Sequence, residues 1–332
     1  MQDTELRCNV LVLGAGTSKD FGLPIGSEVL DAAIERVERL KTALDKDEWP
    51  FNPDEMSSRA FGKYSDINFK LAFHSNGQFD IDKFFRFSEE LVDTHCETLD
   101  NFAFEHVEFS PACRYLTSAI LVENLYLEEH GYFRPITLTR RLADGGRRNW
   151  IDRFISVARS RIRNGEVAPW AVINFNYDFI FESRLRAKWQ STGAHNIGDV
   201  DKHFEFIHPH GRFLFQESTK DLSKLVVSYA NDITYVHETN RYAEPLNIAF
   251  SRVSNAWNIY IMGFACAQEN ARLIGLIDNL HRSPDTVIYA QNFSGNRTYN
   301  ERFERAGVKD ENVYTGYCDA IIDDSFFGDV PV

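Results

Sequence analysis

Cysteine is scarce in this chain of 332 residues: there are five, at Cys8, Cys96, Cys113, Cys266 and Cys318. No two form a C-x-x-C pair, which removes the usual basis for a four-thiolate zinc site, and no metal is implied. An odd, scattered set reads as reduced thiols in the core or at the surface. Positive charge is also in deficit: Lys and Arg number 36 against 49 Asp and Glu, for a net charge of −13. That balance argues against direct nucleic-acid binding, which needs clustered cations to neutralise phosphates. The pairs Arg140-Arg141 and Arg147-Arg148 form one small basic patch, read as solvated surface. No apolar run reaches the roughly 18 residues of a membrane span, and nothing has the layout of a signal peptide. The expectation is a cytoplasmic protein with no membrane partner. Internal repeats and low-complexity segments are absent. Two phosphate-binding signatures are incomplete as well: G-x-G-x-x-G lacks its third glycine, and G-x-x-x-x-G-K-[ST] is not present.

Aromatic residues, by contrast, are plentiful, at 14% with 27 Phe. Hydrophobic residues make up 43% and charged residues 26%, an ordinary soluble composition with enough apolar surface for a full core. Apolar runs read as strands at 9–14, 171–175, 203–208, 225–228, 257–263 and 286–290. Helical spacing is read at 27–40 with Ser27 as N-cap, at 179–190, near 269–281 and near 296–306. Residues 41–65, with Pro50 and Pro53, read as a loop, and 66–165 as mostly helical. Within that stretch Phe84, Phe85, Phe87, Leu91 and Val92 make one apolar face, and Leu116, Ile120, Leu121, Leu125 and Leu127 another. Strands alternating with helices imply a doubly wound, mainly parallel sheet. The expected organisation is a single α/β domain over 1–332 with a mainly helical insertion at 41–168.

Ligands of such sheets bind beyond the carboxyl ends of the strands. At those ends stand Gly14-Ala15-Gly16-Thr17-Ser18, Asn174-Phe175-Asn176-Tyr177-Asp178, Pro209-His210-Gly211-Arg212 and Gly263-Phe264-Ala265-Cys266. Two glycine loops, a carboxamide, a carboxylate and an imidazole are thus expected on one edge. The first loop follows a strand and opens a helix, a setting suited to a diphosphate.

In this order the four segments resemble the sirtuin family, and especially the bacterial sirtuin-like NAD hydrolases. Gly14 to Ser18 with Gly22-Leu23-Pro24 is similar to the family's G-A-G-x-S…G-I-P, and Asn174 to Asp178 to its T-Q-N-x-D. His210-Gly211 is similar to the catalytic H-G, and Gly263 to Cys266 to the later G-T-S-x loop. The resemblance spans residues 9–40 and roughly 170–320. It departs where deacylases carry P-D-F-R, since this chain has Pro24-Ile25-Gly26-Ser27, and where they carry four zinc-binding cysteines.

The resemblance implies a Rossmann-like fold, NAD as substrate and no zinc. Asn176 and His210 would be catalytic; Gly14, Ala15, Gly16, Thr17, Ser18, Pro24, Asp178, Gly263 and Phe264 would bind the dinucleotide. Its departures shift the expected acceptor from an acyl peptide to water, giving nicotinamide and ADP-ribose. The relatives suggest anti-phage defence by NAD depletion, with control by homo-oligomer assembly or by a partner such as a defence-system ATPase. A non-catalytic NAD- or ADP-ribose-binding subunit is the alternative, and a deacylase or ADP-ribosyltransferase the weaker third. Residue chemistry leaves further readings open. Asn176 and Asp178 suit a helix cap, His210 a turn, and Cys266 a packed thiol. His208 and His210 have ligand spacing, but Pro209 and the lack of a third ligand count against a metal. A histidine, with an ordinary pKa of about 6.5, can also serve as a base near neutrality.

Overall fold

The computed structural model describes residues 7–45, 70–75, 78–129, 132–136, 149–163, 169–191, 199–235, 238, 243–293, 295, 297–316, 318 and 321–322. Most of the expected 41–65 loop, with Pro50 and Pro53, and both arginine pairs lie outside them. The strands are β1 (Cys8–Leu13), β2 (His74–Ser75), β3 (Gln78–Phe79), β4 (Tyr126–Glu129), β5 (Tyr132–Pro135), β6 (Trp170–Asn174), β7 (Phe204–Ile207), β8 (Ala256–Met262), β9 (Val287–Asn292) and β10 (Val313–Thr315). The chain divides into two compact units. One comprises residues 1–22, 137–212 and 238–332; the other comprises 23–136 and 213–237.

The first unit is built on a six-stranded sheet in the order β10-β9-β8-β1-β6-β7. Each neighbouring pair is parallel. Counting only these strands along the chain, the order is 3-2-1-4-5-6, that of the doubly wound dinucleotide-binding fold, and the order of winding reverses between β1 and β8. The expected α/β class with a parallel sheet is therefore what the chain forms. β1 is buried throughout because both faces of a parallel sheet are covered. Val10, Val12, Ile259 and Ile261 pack with Leu246, Ala249 and Val253 of the Ala243–Ser254 helix. Much of the aromatic content is used elsewhere in this unit. Trp150 of the Trp150–Arg163 helix stacks on Phe181 at 5.5 Å, and Phe154 meets Trp170 edge-on at 5.4 Å.

The second unit carries the helices Gly26–Asp45, Ile81–Val92, Leu99–Glu105, Ser110–Leu125 and Leu222–Asp232, with the antiparallel pairs β2-β3 and β4-β5. Phe87 centres an aromatic cluster, with Phe73, Phe102 and Phe109 at 5.2, 5.9 and 5.1 Å. Of the two apolar faces read from the sequence, Phe84, Phe87 and Leu91 are buried, as are Leu116, Ile120, Leu121 and Leu125. Val92 is 39% exposed, and Leu127 falls in β4 instead of a helix.

Four local expectations need correction. Leu225–Ser228 is helical: Leu222, Leu225, Val226, Tyr229 and Ala230 are buried at helical spacing, and the Asp221 carboxylate accepts from the N–H groups of Ser223 and Lys224 at the N-terminus. The helix expected near 269–281 is only Gln268–Leu273. Gly275 adopts φ 73°, and Leu276 N–H returns to Ala271 O, a glycine-terminated helix end. Ser27 sits inside the Gly26–Asp45 helix, where the Glu28 carboxylate accepts from Ile25 N–H. β10 was not foreseen; three residues give too short a pattern. No helix among the described residues is long and apolar enough to cross a membrane.

Candidate functional site

β1 and β8 lie side by side, and the turns that follow them are in backbone contact. Gly14 N–H donates to Met262 O at 3.0 Å and Gly16 N–H to Gly263 O at 2.9 Å. A Cβ on Gly14 would lie 2.5 Å from Phe264 Cα, and one on Gly16 would lie 2.8 Å from Gly263 Cα. Only glycine permits that approach, so these residues have a packing reason independent of any ligand. The short helix Ala15–Lys19 then presents Ala15 to solvent and buries Thr17 and Ser18.

The end of β6 reaches the same turn. Asn174 Oδ1 accepts from Asn176 N–H at 3.0 Å, curling the chain back over the strand end. Asn176 Nδ2 donates to Thr17 Oγ1 at 2.9 Å and to Ser18 Oγ at 3.1 Å. Both hydroxyls are free to accept because each donates elsewhere: Thr17 to Gly14 O at 2.8 Å, Ser18 to Asp178 Oδ2 at 2.6 Å. Asp178 Oδ1 accepts from Ile180 N–H at 2.9 Å, capping the Ile180–Ser191 helix. The donor directions are thereby fixed throughout. One atom is left over: Asn176 Oδ1 is buried and has no hydrogen-bond partner among the described residues, in a residue only 6% exposed. A buried carbonyl oxygen in that state carries a desolvation cost and invites a donor.

His210 follows β7 and is also buried. Its Nε2 lies 3.0 Å from Asn270 Oδ1, on the Gln268–Leu273 helix. Phe175 packs against the imidazole at 5.2 Å and stacks on Phe264 at 4.6 Å, tying the β6, β7 and β8 ends together. On either side of His210, His208 Nε2 lies 3.3 Å and Arg212 Nη1 2.9 Å from Glu182 Oε2. Burial raises the Glu182 carboxyl, but the hydrogen bond from His208 and the charges of Arg212 and His208 outweigh it and hold it at about 2.

The sheet edge thus assembles Gly14, Gly16, Thr17, Ser18, Asn176, Asp178, His210, Gly263 and Phe264, and each belongs to the first unit. Pro24 belongs to the second unit and is half-buried there. Cys266 is buried with φ 48°, and burial pushes its thiol up to about 12, against a lesser opposing effect of Arg302. Among the described residues, no group of three or more His, Cys, Asp or Glu is placed to hold a metal. Sequence reading missed Asn270 and Glu182, which hold His210 and its flanks. Phe175 stood within a quoted segment, yet its apolar side chain carried no chemical signal.

No family model matches the chain, and neither does any curated protein. Among solved structures, it is similar to a crystal structure of Sir2 in complex with an inhibitor, 2′-O-acetyl-ADP-ribose and a deacetylated peptide. The identity is 12% and the TM-score 0.34, with 96% of this chain and 90% of that chain covered. A likeness at that level carries no argument about activity.

Proposed function

We propose that the chain hydrolyses NAD+ to nicotinamide and ADP-ribose. The observation that carries this reading is Asn176: its amide is oriented from behind by Thr17 and Ser18, leaving Oδ1 as a buried acceptor on the sheet's carboxyl edge. A ribose hydroxyl or an attacking water supplies the donor that this oxygen lacks. The strand order adds support, since doubly wound sheets bind nucleotides where the strand order reverses. The diphosphate is assigned to the Gly14–Ser18 turn, with Gly263 and Phe264 along the ribose. Asp178 keeps Ser18 in place, both its oxygens already being engaged.

In the reaction the bond from ribose C1′ to the nicotinamide nitrogen breaks, and its electron pair leaves with the ring. The transition state has oxocarbenium character, like that of glycoside hydrolysis. Asn176 orients hydroxyl or water without adding charge. Water oxygen bonds to C1′, and His210 accepts the proton that water loses before passing it to solvent. NAD+ and water thus become nicotinamide, ADP-ribose and a proton. The biological setting we propose is bacterial anti-phage defence by NAD+ depletion, with activity controlled by self-assembly or by a partner protein such as an ATPase.

The test is nicotinamide release from NAD+ by the full chain, alone and with candidate partners. Asn176→Ala and His210→Ala are each expected to lower the rate by about 10²-fold or more, the scale of a lost general base. Release that is absent under every condition, or unchanged in both variants, overturns the reading. NAD+ binding without release would favour a regulatory, non-catalytic subunit.

A further inference from the structure

We propose that Asn270 is the positioning residue for His210: it fixes the imidazole as the Nε2–H tautomer, so the proton taken up in the reaction lands on Nδ1. This deepens the hydrolase reading and rests on it for its catalytic consequence, but not for its structural one. The argument starts from the contact itself. Asn270 Oδ1 lies 3.0 Å from His210 Nε2, and a carboxamide oxygen only accepts hydrogen bonds. Nε2 must therefore carry the hydrogen, and in the neutral ring the lone pair sits on Nδ1.

The surroundings hold that arrangement. The ring is buried, with Phe175 tilted against it at 5.2 Å and Tyr177 edge-on at 6.5 Å, so rotation to exchange the two nitrogens meets aromatic walls. Asn270 comes from an element distinct from the one bearing His210. The Gln268–Leu273 helix opens with the bond from Ala271 N–H to Ala267 O and is closed at its end by the Gly275 turn. Charged groups act on the neighbouring loop residues: Glu182 engages His208 and Arg212. Asn270 itself is neutral. It can orient the ring without holding a permanent charge against it, which leaves the imidazole able to accept a proton and release it again. A carboxylate in the same place would favour the protonated ring and slow that release.

The experiment is direct. The full chain is labelled with ¹⁵N-histidine and long-range proton–nitrogen correlations are recorded across pH, with His210→Gln identifying the His210 signals. Wild type is expected to show the Nε2–H pattern in the neutral ring. Asn270→Leu should lose the acceptor, giving mixed-tautomer shifts and a lower titration midpoint. Asn270→Asp should keep the Nε2–H pattern and raise the midpoint. In nicotinamide release, Asn270→Leu should cut kcat by about tenfold with KM within about twofold, part of the roughly 10²–10⁴ that a general base supplies. A merely structural role would not separate Asn270→Asp from Asn270→Leu in tautomer. An Nδ1–H pattern in wild type, or an unchanged pattern and midpoint in Asn270→Leu, overturns the proposal. The spectra decide it on wild type even if the leucine variant fails to fold, and even if no nicotinamide is released.

Discussion

An asparagine side chain has two N–H donors and one carbonyl acceptor, and Asn176 spends the donor end on Thr17 and Ser18. Aspartate would be nearly isosteric there, yet it would turn two donated bonds into oxygen–oxygen contacts and place a charge beside Asp178. The carboxamide is thus specified by its neighbours as well as by the proposed chemistry. Cys266 shows the opposite case, a reactive residue type made inert. Its thiol is pushed up to about 12 by burial, so at pH 8 only about one molecule in ten thousand carries the thiolate that reacts. Iodoacetamide at pH 8 is therefore expected to leave Cys266 unmodified in the native chain and to label it fully in urea, as read by peptide mass spectrometry. Rapid native labelling at Cys266 would sink this account.

At the scale of elements, the Ile180–Ser191 helix does more than cover the sheet. Its Glu182 reaches the turn after β7 and engages His208 and Arg212, two residues before and two after His210. The same carboxylate pairs with Arg186 one turn along, and Arg186 also pairs with Asp201. The Glu182 carboxyl sits at about 2 when folded against an ordinary 4.5. A depressed carboxyl contributes stability that is fully present above the unfolded value and is lost as pH falls through the folded one. Glu182→Gln is expected to cost about 3 kcal/mol at pH 7, in the range for breaking a buried pair, and about 1 kcal/mol less at pH 4. Urea unfolding of both proteins at pH 7 and 4 measures it, and an equal difference at the two pH values would refute it. Elements with a continuous apolar run were legible in the sequence, as β1 and β8, each followed by a glycine, and β6, which ends at Asn174, show. Leu225–Ser228 was not, because two valines in sequence suit a strand or a buried helix equally, and only packing decides.

On the scale of the whole molecule, the sheet edge could be inferred from the sequence only as a set of strand ends. That β1 and β8 are neighbours follows from strand order, and the order is set by long-range packing that no local pattern encodes. The same limit hid Asn270, which meets His210 across 60 residues of chain. A further prediction belongs at this scale. An unregulated hydrolase of NAD+ would drain a cofactor shared by the whole cell, so the proposed activity requires an off state. Self-assembly is one way to provide it, and the net charge of −13 gives that route a testable signature. Like-charged chains repel as they approach, and going from about 0.1 M to about 1 M salt shortens the Debye length from about 10 Å to about 3 Å. If assembly activates the enzyme, nicotinamide release per chain should rise with chain concentration, and higher salt should move that rise to lower concentration. Rates and light-scattering mass measured together, across a range of chain concentrations at each salt, make the test. Constant activity per chain at every concentration would remove self-assembly as the control, and a rise only on adding a second protein would transfer it to that partner.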